Sequence, residues 1–299
     1  MISTKDNTKG NIAAFISILI WGTTFVSSKV LLQSFLPIEI IFFRFLIGFV
    51  ILCCVHPNFR KKLILKEEVY FALAGLFGVT LYFISESTAL VHTSASNVGI
   101  IVSLSPFFTA VFAKLLLKED SIDKAFFVGL VCALVGIVFL ATQGDFSFTV
   151  NVKGDMLALL AGFCWGVYSI ILKKISSFGH HYIDVTRHVF FYGVLFMIPF
   201  ILLSDFHFDL SRFLISVNWL NMAYLAIGAS VICFISWNCA VKILGPVKTT
   251  LYIYLVPIVS TISSVLILGD KLTIYSILGI VLILFGLIIS QKRSAKVNE

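Results

Sequence analysis

A carboxylate stands among apolar neighbours at Glu86, within the run from Tyr82 to Ala89. Lys29, Arg44, Asp184 and Arg187 lie in similar surroundings, and Glu39 comes shortly before Arg44. A charge at the centre of a bilayer-crossing segment costs on the order of 2.5–3.5 kcal/mol on insertion scales, so each one needs a reason. Glu86 could hold a ligand ammonium or a coupled proton. Protonated, ion-paired or close to a hydrated interface, it would be structural instead. Lys29 can snorkel along its apolar stem to an interface; turned inward, it would bind a carboxylate or pair with Glu86. Glu39 with Arg44, and Asp184 with Arg187, each set an acid ahead of a base near a helix start. That order suits the helix dipole and a local pair, structural or gating.

Aromatic residues accompany these charges. Trp21, Trp165 and Trp237 fall inside apolar segments, whereas Trp219 occupies the interfacial position usual for tryptophan. Tyr82, Tyr168 and Tyr252 add hydroxyls, and Asn238 adjoins Trp237. An aromatic wall with few polar groups suits an amphipathic metabolite. The candidate binding residues are therefore Trp21, Tyr82, Glu86, Trp165, Tyr168, Trp237, Asn238 and Tyr252. Lys29, Glu39, Arg44, Asp184 and Arg187 are candidates for coupling or gating. With 30 phenylalanines in the chain, some of the tryptophans could equally be core filler.

The elements that carry these residues are apolar helices. The chain of 299 residues is 59% apolar and 12% charged, against about 45–50% and about 25% in soluble domains. Windows long enough to span a bilayer fall at about 11–33, 38–56, 69–91, 95–117, 125–143, 154–176, 183–203, 219–242, 247–268 and 273–291. Within lipid the backbone must satisfy itself, which makes them helices. Pro106 and Pro257 interrupt the fourth and ninth; the freed carbonyls, with Ser103 and Ser105 beside the first break and Tyr252 and Tyr254 beside the second, could face a central cavity, or the breaks could serve packing curvature alone.

The pattern occurs twice. Trp21-Gly22 aligns with Trp165-Gly166, Lys29 with Lys173, Gly48 with Gly193, Gly78 with Gly228, Pro106 with Pro257 and Glu119 with Asp270. Gly129 and Gly136 align with Gly279 and Gly286, each pair offering a groove for a neighbouring helix. Glu86 aligns with Trp237 and so breaks the symmetry. Five spans per copy reverse the direction of entry. The expected fold is an all-α integral membrane protein of ten transmembrane helices in two inverted five-helix repeats, 11–143 and 154–291. Tails 1–10 and 292–299 flank them.

With both termini cytoplasmic, 17 Lys and Arg residues fall on or near the inner side and three (Lys153, Arg212, Lys271) outside. Topology thus accounts for the net charge of +7, and no nucleic-acid partner is required. The first apolar stretch is too long for a cleavable signal and reads as a span.

The runs TALVHTSASNVGIIVSLSPFFTAVFAKLLLKEDS and NCAVKILGPVKTTLYIYLVPIVSTISSVLILGDKLT resemble EamA-type transporters of the drug/metabolite transporter superfamily. So do the Trp-Gly pairs and the paired glycines. The resemblance covers nearly the whole chain and implies a ten-helix inverted-repeat carrier of amino acids or other small metabolites, often outward. Glu119 and Asp270 fit the family pattern, although the second copy has Gly-Asp-Lys where the first has Lys-Glu-Asp.

The expectation is an inner-membrane secondary transporter working by alternating access, without cofactor or metal. It would be driven by a proton or solute counter-gradient and act as a monomer or weak homodimer. No G-x-x-x-x-G-K-[ST] segment suggests a nucleotide-driven pump. The alternative is an intramembrane enzyme acting on lipid or prenyl substrates, for which the cluster His180, His181, Asp184 and His188 is the nearest metal-binding pattern.

Overall fold

The computed structural model describes residues 4–57, 64–118, 123–145, 151–268 and 272–291. Ten of its helices are long and apolar enough to cross a membrane. They are numbered α1 (Asn7–Leu31), α2 (Pro37–Val55), α3 (Leu65–His92), α4 (Ala95–Leu117), α5 (Lys124–Thr142), α6 (Val152–Ser176), α7 (Tyr182–Leu202), α8 (Ser216–Leu244), α9 (Pro246–Leu266) and α10 (Ile274–Gln291). The described residues contain no strand. Glu119, Asp270, the tail 292–299 and the basic residues Arg60, Lys61, Lys62 and Lys271 lie outside the described residues.

Local chemistry sets the helix starts. Pro37 opens α2, where its missing N–H has no partner to lose. The Glu39 carboxylate reaches back to accept the Leu36 N–H at 2.8 Å. Asp123 and Asn151 cap α5 and α6 by accepting the N–H of Phe126 and Gly154.

Both prolines mark breaks. Span α4 runs helically over Ala95–Val102, turns, and resumes at Ser105–Phe112 with Pro106 in its first turn. Span α9 tightens to a 3-10 turn over Tyr252–Leu255 just before Pro257. The Ser103 and Ser105 hydroxyls donate to the carbonyls of Gly99 and Val102 at 2.6 and 2.5 Å, and both residues are buried. The break satisfies its own backbone.

Sequence reading did not anticipate the π-helical stretches Leu76–Leu81 in α3 and Tyr224–Ile232 in α8. They surround the matched glycines Gly78 and Gly228. In α8 the Ser230 hydroxyl, two residues on, donates back five positions to the Leu225 carbonyl at 3.0 Å; in α3 the Thr80 hydroxyl lies 3.4 Å from the Gly75 carbonyl but donates at 2.8 Å to that of Gly193 in α7. Such bulges recur at functional sites.

Glycines set the close contacts. A Cβ on Gly129 would lie 2.5 Å from the Gly286 carbonyl, and one on Gly136 would lie 2.6 Å from that of Gly279. The grooves expected on α5 and α10 therefore close on each other, backbone to backbone. The glycines of the Trp-Gly pairs receive the broken helices: Val259 of α9 presses on Gly22, and Phe108 of α4 presses on Gly166.

Candidate functional site

Six aromatic residues from four spans converge in the main core cluster. Trp21 of α1 lies 5.4 Å from Trp165 of α6 and 5.1 Å from Trp237 of α8, and the last two are 5.7 Å apart. Tyr82 of α3 and Tyr168 of α6 flank Trp165 at 4.9 and 5.2 Å, and Phe234 packs beneath. The glycine after each of Trp21 and Trp165 meets a proline-broken helix, while the indoles themselves pack on α1, α3, α6 and α8. Of the predicted residues, the structure thus gathers Trp21, Tyr82, Trp165, Tyr168 and Trp237, each in the main cluster or packed against it.

Polar groups ring this wall. The Tyr82 hydroxyl donates to Glu86 Oε1 at 3.0 Å. Asn238 donates to Thr186 at 2.9 Å, with the Tyr168 hydroxyl 3.4 Å from its Oδ1. Trp21 donates its indole N–H to the Ala229 carbonyl at 3.0 Å, inside the α8 π stretch. The indole nitrogens of Trp165 and Trp237 are buried without an acceptor among the described residues. Tyr252 packs its ring against the same core, but its hydroxyl donates to Asn11 at 3.0 Å, near the start of α1.

The charged candidates sort differently from their sequence order. Glu39 and Arg44 do not pair. Arg44 is buried and donates through Nε to Ser230 Oγ at 2.9 Å, with its guanidinium over the rings of Phe45 and Phe83. Arg44, whose guanidinium lies 5.0 Å from the ring of Phe83 on the helix of Glu86, is the candidate cation on that side of the core. Lys29 is exposed near the end of α1. Ser230 was missed because one serine in an apolar run carries no distinctive signal. Only its match to Thr80, each two residues after a paired glycine, could have drawn attention to it.

Glu39 and Asp184, which begin α2 and α7, each clasp a segment that follows the other helix. The Glu39 side chain is 0% exposed and receives Arg212 through both oxygens, at 2.8 and 3.2 Å, besides the His207 N–H at 2.8 Å. Arg212 stacks on Phe35 and donates to the Ser34 carbonyl. Its hydrogen bonds to Glu39 hold its pKa above the ordinary arginine value. Asp184 pairs with Arg187 at 3.0 Å, as expected, and Arg187 also donates to the His56 carbonyl at 2.5 Å. His56 Nδ1 lies 3.1 Å from Asp184, and its ring stacks on His181. His180 lies against Glu67 at 3.3 Å. Among the described residues no group of three His, Cys, Asp or Glu side chains is arranged to hold a metal ion.

Comparison with known proteins bears on this geometry. The profile of the EamA-like transporter family matches residues 8–142 and again 152–291. An uncharacterized transporter of Archaeoglobus fulgidus is 27% identical over 294 residues, covering 96% of this chain and 99% of its own. The uncharacterized transporter YyaM of Bacillus subtilis is 26% identical over 89% of this chain and 88% of its own. A protein of Salmonella typhimurium named as a probable amino-acid metabolite efflux pump is 24% identical, covering 97% and 99%. A protein of known crystal structure superimposes with a TM-score of 0.75 at 19% identity over 98% of this chain and 99% of its own, which speaks to fold alone.

Proposed function

Because the chain belongs to the EamA-like transporter family, we propose that it is a secondary transporter of small metabolites, amino acids and related compounds foremost, which it exports across the inner membrane by alternating access. The observation that carries this reading is the meeting of three tryptophans from α1, α6 and α8, members of both halves, in one cluster. A site at the interface of inverted repeats is presented to either side when one bundle rocks against the other. The name of the Salmonella relative supports both the amino-acid class and the outward direction.

Trp21, Tyr82, Glu86, Trp165, Tyr168, Trp237 and Asn238 line the path, with Tyr252 at its margin. The breaks at Pro106 and Pro257 supply the moving edges, because Phe108 and Val259 just beyond them lean on Gly166 and Gly22. With both termini cytoplasmic, the Glu39–Arg212 clasp closes the outer face and the Asp184–Arg187–His56 clasp the inner. Alternating access then opens one while the other stays shut. A ligand can drive the cycle only by binding the two facing states unequally. A proton or solute counter-gradient supplies the energy, with Glu86 as the proton carrier.

The test is flux in proteoliposomes, screening labelled amino acids and related metabolites with and without an imposed pH gradient, wild type beside Glu86→Gln. Gradient-driven flux that is lost in the variant is the expected result. Flux indifferent to both gradient and substitution would leave a facilitator and return Glu86 to a structural role. No flux for any solute class would overturn the reading.

A further inference from the structure

Around the tryptophan cluster, polar groups are left with unmade bonds. Arg44 is 7% exposed. Its Nε bonds Ser230, and neither terminal amino group has a hydrogen-bond partner among the described residues. Glu86 accepts from Tyr82 through Oε1, and its Oε2 has no donor among the described residues. Arg44 and Glu86 form no ion pair within 4 Å among the described residues, and the ring of Phe83, three residues before Glu86, lies 5.0 Å from the Arg44 guanidinium. Two further donors, the indole N–H groups of Trp165 and Trp237, are buried in the adjoining wall with no acceptor among the described residues.

A buried guanidinium that stops short of a nearby carboxylate forgoes the strongest bonds available to it. Cost of that kind is borne where a ligand completes the arrangement. Ring contacts link the two charges to one wall: Phe83 lies under the Arg44 guanidinium at 5.0 Å and 4.8 Å from Tyr82, which holds Glu86 and abuts Trp165.

We propose that Arg44 and Glu86 form a two-ended cradle for a zwitterion, in which Arg44 takes a carboxylate, Glu86 takes an ammonium, and the tryptophan wall takes an apolar side chain. This deepens the transport reading above and rests on it. The cradle is neutral overall. A solute with only a carboxylate leaves the half-buried Glu86 unmatched, and a solute with only an amine leaves the buried Arg44 unmatched. Sites with buried polar groups reject analogues that leave those groups unpaired. Arg44 therefore reads the ligand instead of gating, and Ser230 positions it through Nε so that both terminal amino groups point free.

The experiment is a fluorescence titration of the purified protein in nanodiscs, read by its tryptophans. The probes are L-leucine with 3-methylbutylamine and 4-methylpentanoate, and L-phenylalanine with 2-phenylethylamine and 3-phenylpropanoate. Wild type should bind at least one amino acid ten or more times as tightly as either of its one-ended analogues. Glu86→Gln should bring that amino acid and its acid analogue within about twofold, and Arg44→Gln should do the same for the amine. Thermal unfolding checks that each variant is folded. If either fails that check, Glu86→Asp and Arg44→Lys replace them, with a partial loss of the same ratio expected. A merely structural role would weaken all ligands of a set alike, and that outcome overturns the cradle. So does wild type binding an amine or acid as tightly as its amino acid. Flux of another solute class, with no zwitterion bound, would overturn the cradle and leave transport standing. Zwitterion binding with the predicted ratios but no flux would do the reverse.

Discussion

Trp165 and Trp237 carry buried indole N–H groups without acceptors among the described residues, and an unmet donor costs about 1–3 kcal/mol. Replacing either indole by phenylalanine removes that donor along with some ring volume, so the two effects on stability oppose each other. Trp165→Phe and Trp237→Phe should each shift the unfolding free energy by under about 1.5 kcal/mol, while weakening ligand binding several-fold. Thermal unfolding beside ligand titration checks this; large destabilisation with unchanged binding would make these rings plain core. The Glu39–Arg212 pair offers a second residue-level test. Removing one partner of a buried pair leaves the other charge uncompensated, at about 3 kcal/mol. Arg212→Met should be strongly destabilising, and adding Glu39→Gln should recover much of the loss. A double-mutant cycle should give a coupling above the 0.2–1 kcal/mol or so typical of exposed pairs. Glu86 was legible in the sequence because a carboxylate among apolar neighbours cannot be overlooked. The partners of Glu39 and Arg44 were not, because Arg212 and Ser230 are remote in sequence and only folding brings them near.

Among the elements, the α5–α10 contact is the tightest. A side chain on Gly136 would meet the Gly279 carbonyl, and one on Gly129 that of Gly286, both closer than a real Cβ approaches. Gly136→Leu should therefore push the helices apart and cost about 1–3 kcal/mol, seen as a lower unfolding temperature. Gly99 has nothing near its missing Cβ, so Gly99→Ala should be tolerated at the same assay. The grooves were readable from glycines seven residues apart, and so were the proline breaks, because both signals are local. The π stretches of α3 and α8 were not. An extra residue in a helical turn leaves the apolar pattern almost unchanged, and in α8 it shows in the Ser230 hydroxyl reaching back five positions.

At the scale of the molecule, a repeat of five spans carries most of the account. It was visible in sequence because the same Trp-Gly, glycine and proline marks return in the same order, and the ten spans of the fold agree with it. The repeat also pairs Glu39 with Asp184, whose clasps close opposite faces in the proposed cycle. The most direct test of that cycle follows two cysteines, introduced singly at Phe35 and Val185 in a protein freed of its native cysteines. Both positions are buried, Phe35 under Arg212 and Val185 beside Asp184. Each is reacted in proteoliposomes with a membrane-impermeant thiol reagent, with and without transported solute. Alternating access predicts that solute changes the two reactivities in opposite directions. Reactivities that rise together would describe an open pore, and reactivities that never respond to solute would contradict the account.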